Sequence, residues 1–142
     1  MERKRVFVDT SAWYALQIID DTNHETATKI LHSLLPKCES LITSNHVIGE
    51  TYTLLRTSKG YREARRFLDI LRQSPRVVEY FAGKEIQKEA FNILDRFREH
   101  AFSFVDAISF SIMKKEGIKE AFAFDKHFAV AGFSRIGIDV PV

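Results

Sequence analysis

Apolar residues along this chain switch between two periodicities. Val6-Phe7-Val8 runs without alternation into Asp9, as a strand covered on both faces does, and the hydroxyl pair Thr10-Ser11 follows. A short helical stretch through Ala15 to Ile18 ends at the polar turn Asp20 to Asn23. From His24 to Leu35, the positions Ala27, Ile30, Leu31, Leu34 and Leu35 recur at helical spacing until Pro36 stops them. Leu41-Ile42-Thr43 predicts a second buried strand. Ser44 or Asn45 caps a helix to about Thr57, and Gly60 separates it from another between Tyr61 and Arg72. Beyond Ser74-Pro75, Val77 to Phe81 predicts a third strand. Lys84 to His100 predicts a long amphipathic helix with Ile86, Ala90, Phe91, Ile93, Leu94 and Phe97 as its stripe. Ser103 opens one more helix to Lys115, stopped by Gly117, and Ala121 to Phe124 and Ser134 to Ile138 supply the last strands. Strands separated by helices pair in parallel through right-handed crossovers. The predicted fold class is therefore α/β, a three-layer α/β/α sandwich with a central parallel sheet.

Composition narrows this to a single domain spanning residues 1–142, long enough to bury a core without disulfides. Cys38 is the only cysteine, which fits a reducing cytosol and rules out a thiolate metal cage. The charged opening Met1-Glu2-Arg3-Lys4-Arg5 leads into only three apolar residues, and no apolar run approaches the roughly twenty needed to cross a bilayer. The expectation is a soluble, cytoplasmic protein with no membrane partner. A net charge of +2 permits nucleic-acid binding without arguing strongly for it.

Four acids stand in unusual places on this layout. Asp9 ends the first strand, where ligands bind in open α/β sheets, although Asp also caps helices well. Glu50 falls beside Val47 and Leu54 at the edge of an apolar arc rather than opposite it. Asp106 sits in a helix apolar on nearly every side, and Ser103-Phe104-Val105-Asp106 also reads as a capping box. Asp125 follows Ala121-Phe122-Ala123-Phe124 as Asp9 follows Val6-Phe7-Val8, which puts two aspartates on one edge of a parallel sheet. Four carboxylates converging there would need protons or a cation. Hard oxygen ligands select Mg²⁺ or Mn²⁺, ions that hold phosphates, activate water and neutralise a leaving oxygen. The reaction class this suggests is metal-dependent cleavage of nucleic acid.

The stretches Val8-Asp9-Thr10-Ser11, Ser44 to Thr51, Ser103 to Ala107 and Ala123 to Phe128 together resemble the PIN-domain ribonucleases, especially VapC-type toxins. The resemblance covers nearly the whole chain. It implies Asp9, Glu50, Asp106 and Asp125 as metal-binding catalytic acids, with Thr10, Ser11 and Ser103 as supporting hydroxyls. It further implies Mg²⁺ or Mn²⁺, an RNA substrate, a homodimer and a small antitoxin partner. Arg56, Lys59, Arg62, Arg65 and Arg66 cluster at one helix junction, either to hold a phosphate backbone or as a solvated helical face. His46 and His127 lie near the acids and read as surface or structural residues, since an activated water needs no histidine base. Trp13 and Tyr14 read as core before base-stacking residues, and the Phe-rich helices read as core. Three further possibilities stay open: a free-standing nuclease of the same family without an antitoxin, a non-catalytic scaffold that binds RNA or protein, and an aspartyl-phosphate acceptor, for which the second Asp of an Asp-x-Asp motif is missing.

Overall fold

The structure, a computed structural model, describes residues 3–142; Met1 and Glu2 of the charged opening run lie outside the described residues. The elements, in chain order, are β1 (Lys4–Val8), α1 (Thr10–Gln17), α2 (His24–Leu34), β2 (Cys38–Ser44), α3 (Asn45–Lys59), α4 (Tyr61–Gln73), β3 (Val77–Tyr80), α5 (Lys84–Arg96), α6 (Phe104–Glu116), β4 (Glu120–Phe122), α7 (His127–Val130) and β5 (Ser134–Arg135). The five strands form one sheet in the order β3-β2-β1-β4-β5, and every pair is parallel.

This order dictates where the helices go. The chain moves outward from β1 to β2 to β3, then returns across β1 to β4 and β5. With right-handed crossovers, α1 to α4 cover one face and α5 to α7 the other. The packing agrees: α1 lies on α2 and α3, α3 on α4, and α6 on α5 and α7. Val6, Phe7 and Val8 on the central strand are fully buried, as their unbroken apolar run predicts. α6 is buried from Asp106 through Met113. Its two serines are satisfied internally, Ser109 Oγ donating to Val105 O at 3.0 Å and Ser111 Oγ to Ile86 O at 2.9 Å.

The elements differ from the sequence pattern in a few places, each with a local cause. α5 ends at Arg96 rather than His100, where the Phe97 ring packs at a tilt against the stacked rings of His100 and Phe102 and the chain turns. β4 stops at Phe122 rather than Phe124, since the Phe124 N–H is taken by the Ser11 hydroxyl. β5 is only two residues long, and Gly137 turns the chain at a positive φ of 79°. α7, four residues long, is too short to leave a periodicity. The Phe residues are not all core: Phe81 and Phe91 are exposed, while Phe7, Phe67, Phe110, Phe122 and Phe128 are buried. Among the described residues no helix is long and apolar enough to cross a membrane.

Candidate active site

The site begins where β1 and β4 end. They are neighbours, with Phe7 opposite Ala121 and Val8 opposite Phe122, so both chains leave the sheet at one edge. Here the connections diverge to either side, the position where open α/β sheets hold their ligands. Asp9 leaves β1 and caps α1, its Oδ2 accepting from the Ser11 hydroxyl at 3.1 Å and the Ser11 N–H at 3.4 Å. The same hydroxyl accepts from Phe124 N–H at 3.0 Å, tying the exit of β1 to the exit of β4. On α3, Glu50 Oε1 accepts from the Thr10 hydroxyl at 2.6 Å, and Thr10 in turn accepts from the Thr51 hydroxyl at 3.0 Å. Asp106 and Ser103 form a reciprocal capping box, each backbone N–H donating to the other's side chain at 3.0 Å. Asp125 Oδ1 accepts from His127 N–H at 2.8 Å.

One pattern runs through these bonds. Each of the four carboxylates has a single oxygen engaged by protein donors: Asp9 Oδ2, Glu50 Oε1, Asp106 Oδ2 and Asp125 Oδ1. Among the described residues no fully buried side-chain oxygen or nitrogen lacks a partner. The remaining four oxygens must therefore reach solvent, although Asp9 is only 5% and Asp106 only 7% exposed. For Asp9 and Asp106 the capping role and the place in the cluster are thus one arrangement, in which capping occupies one oxygen and leaves the other free.

The electrostatics are those of crowded like charges. The Asp9 carboxyl is pushed up to about 7, first by burial, then by the negative charge of Asp106 and more weakly of Glu50, against the opposing bonds from Ser11. The four acids share the edge without forming one tight shell. The close group is Asp106, Asp125 and His127, each with a ligand-type atom within 4.8 Å of the others; Asp9 lies outside it, near enough to Asp106 and Glu50 to feel their charges. His127 is the residue that sequence spacing undervalues. Its Nδ1 lies 3.1 Å from Asp106 Oδ2 and 3.5 Å from Asp125 Oδ1. The signal was its place two residues after Asp125, where a tight turn folds the ring back over the acid.

The remaining candidates separate. Thr10, Ser11 and Ser103 each bond one of the acids, as described. Lys59, Arg65 and Arg66 make surface ion pairs with Asp20, Asp69 and Glu63 at 3.2–3.4 Å. Arg56 lies over the Tyr61 ring, 5.9 Å from its centroid, and Arg62 is exposed with no ion pair among the described residues. Trp13 is core: its indole N–H donates to Thr43 Oγ1 at 3.3 Å, and its ring meets Phe67 edge-on. His46 packs beside Phe104.

Comparison with known proteins is consistent with this geometry. The PIN domain family matches residues 6–134. The 23S rRNA-specific endonuclease VapC20 of Mycobacterium tuberculosis is 41% identical over 131 residues, covering 92% of this chain and 97% of that protein. A VapC ribonuclease of Archaeoglobus fulgidus is 25% identical over 90% of this chain and 81% of its own length. The crystal structure of VapC20, described as a sarcin-ricin loop cleaving toxin, superposes with a TM-score of 0.83 at 42% identity, covering 90% of this chain and 95% of that one. FitAcB from Neisseria gonorrhoeae shares the fold, with a TM-score of 0.64 at 14% identity over 92% of this chain and 95% of that one.

The raised Asp9 pKa fixes a pH dependence for the cation-free protein. The unfolded chain releases this proton near 3.8 and the folded chain near 7, so the folded state holds the extra proton between those values. Stability then falls as pH rises from about 4 to about 7, by at most about 1.4 kcal/mol per pH unit from this group. Thermal unfolding in chelator across that window should show the decline, and Asp9→Asn should flatten it.

Proposed function

Because the chain belongs to the PIN-domain family, we propose that it is a metal-dependent endoribonuclease of the VapC type, the toxin of a toxin–antitoxin pair acting in the cytoplasm. The observation that carries this reading is the set of four carboxylates at the ends of β1 and β4 and the starts of α3 and α6, each with one oxygen bonded and one open. A part-buried set of carboxylate oxygens of this charge fits Mg²⁺ or Mn²⁺. Asp9, Asp106 and Asp125 would hold the ion, with Glu50 beside them. When bound, such an ion supplies charge stabilisation at the scissile phosphate and activation of the attacking water. The chain's own contribution is orientation: Ser11, Thr10 and Ser103 fix one oxygen of Asp9, Glu50 and Asp106 and leave the other unbonded for a cation. The VapC20 likeness makes the sarcin-ricin loop of large-subunit rRNA the first substrate to test.

Incubated with a synthetic sarcin-ricin hairpin and Mg²⁺ or Mn²⁺, the purified protein should cut at a defined position. Chelator should stop the reaction. Asp9→Asn or Asp106→Asn should lower the rate by on the order of 10²- to 10³-fold, as loss of one group stabilising transition-state charge does. Full activity in chelator, or in both variants, would remove the mechanism.

For docking of the RNA backbone we assign Arg56 and Arg62, the two members of the basic cluster without ion pairs among the described residues; Arg56 lies six residues beyond Glu50 on α3, about 9 Å along the axis. Charge reversal at both should weaken RNA binding and reduce its salt slope by about 2, with smaller effects at the paired Lys59, Arg65 and Arg66. Unchanged affinity and slope would return the whole cluster to the role of a solvated face.

We also assign a homodimer contact to the partly apolar face that runs from Leu54 past Val105, His46 and Phe104 to Phe91, bordered by Asn45, Thr53 and Glu50. Leu54 and Phe91 are exposed there, with the Phe91 ring 6.0 Å from Phe104. Light scattering on the native chain should give the mass of a dimer, and Leu54→Glu with Phe91→Glu that of a monomer. A native monomer would refute the assignment.

A further inference from the structure

Asp125 differs from the other three acids in how it is carried. Asp9 leaves the central strand, and Glu50 and Asp106 lie on helices of 15 and 13 residues, whereas Asp125 rides on the turn before the four-residue α7. Two anchors hold that turn from behind. Phe128 is fully buried and meets Phe110 edge-on at 4.9 Å. Arg135, clamped to Asp139 at 2.9 and 3.0 Å, donates to Phe124 O at 3.0 Å. Neither anchor touches a carboxylate of the site.

His127 does. Its ring is braced edge-on by Phe102 at 5.1 Å. A carboxylate oxygen only accepts, so Nδ1 carries hydrogen and donates to Asp106 Oδ2 at 3.1 Å, with Asp125 Oδ1 only 3.5 Å away. The His127 backbone N–H holds the same Asp125 oxygen at 2.8 Å. Asp106 Oδ2 thereby has two donors, Ser103 N–H and His127 Nδ1–H, and its Oδ1 has none. A carboxylate turns easily about its last torsion, which is broad and two-fold. A second donor from another element removes that freedom and also separates two neighbouring negative groups by a hydrogen-bond dipole.

We propose that His127 is a positioning residue for cation binding: its Nδ1–H bonds Asp106 while its backbone N–H bonds Asp125, so that the ring fixes Asp106 beside Asp125 and leaves Asp106 Oδ1 and Asp125 Oδ2 for the ion before it arrives. This rests on the proposed nuclease function only in that the crevice takes a divalent cation. Groups that bond a metal-ligating side chain from behind typically contribute 10- to 100-fold in affinity.

The test is Mn²⁺ titration of the full chain without RNA, followed by calorimetry and by the electron spin resonance of free Mn²⁺, with thermal unfolding as a check on folding. His127→Leu keeps an apolar side chain against Phe102 and loses the donor; His127→Asn loses the ring and keeps an N–H near the place of Nδ1. The expected result is a 10- to 100-fold weaker Mn²⁺ affinity in His127→Leu and near-native affinity in His127→Asn. A role in packing alone predicts the reverse order and would overturn the proposal, as would native affinity in His127→Leu. Nitrogen coupling from a directly bound imidazole in the Mn²⁺ spectrum would overturn it in favour of His127 as a ligand. Asp106→Asn separates the cation site from its positioning: if it binds Mn²⁺ as tightly as the native chain, the cation site itself fails, whatever His127 does.

Discussion

Burial of Asp9 and Asp106 at one edge of the sheet, which makes a charge on Asp9 costly first by desolvation and then by the charge of its neighbour, is the constraint to which the rest of the structure answers. Neither acid has a lysine or arginine bonded to it among the described residues, so the charge is not neutralised by pairing. The fold tolerates it through rigidity. β1 is buried and flanked by β2 and β4, α6 is enclosed through most of its length, and both acids sit at the anchored ends of these elements. An isolated buried charge would relax by moving toward solvent. Here capping bonds hold both acids in place, and burial with the neighbouring charge raises the proton affinity of Asp9 instead.

The hydroxyls make this possible in a way that charged partners could not. Ser11, Thr10 and Ser103 each hold one carboxylate in place without cancelling its charge, Ser11 and Thr10 through their hydroxyls and Ser103 through its backbone N–H, and all three hydroxyls also accept a bond. Ser11 stands in for the sheet: by taking the Phe124 N–H it ends β4 and opens the crevice between β4 and β1. An arginine at any of these positions would fix the acids equally well but would occupy the charge that a divalent ion needs.

Much of this was written in local sequence. Val6 to Asp9 and Ala121 to Asp125 share a pattern because both strands are buried on two faces and end at the same edge, so parallel topology puts Asp9 and Asp125 on that edge, while the turn before α7 decides where Asp125 sits on it. Asp106 was legible because a carboxylate in an all-apolar helix persists only where a cap, a counter-charge or a ligand meets it, and its capping role and its place in the cluster hold at once. His127 was less legible. Its importance depends on the path of a turn and on Asp106, 21 residues earlier in the chain, and neither leaves a periodic trace. The length of β5, the end of α5 at stacked rings and the outward faces of Phe81 and Phe91 belong to the same class, since tertiary contacts decide them rather than local preference.

The half-bonded state of each carboxylate bears on how this activity can be lost. An asparagine in place of Asp9 keeps an oxygen to accept from Ser11 and presents only an amide to the crevice, while the unfavourable charge disappears. In the cation-free protein, the mutational step that silences the site therefore removes a buried charge that opposes folding. A disarmed descendant would remain as compact as its parent and keep its outer surfaces. Such a lineage is free to persist as a binding protein, and selection on function alone, never on foldedness, would have to guard the acids.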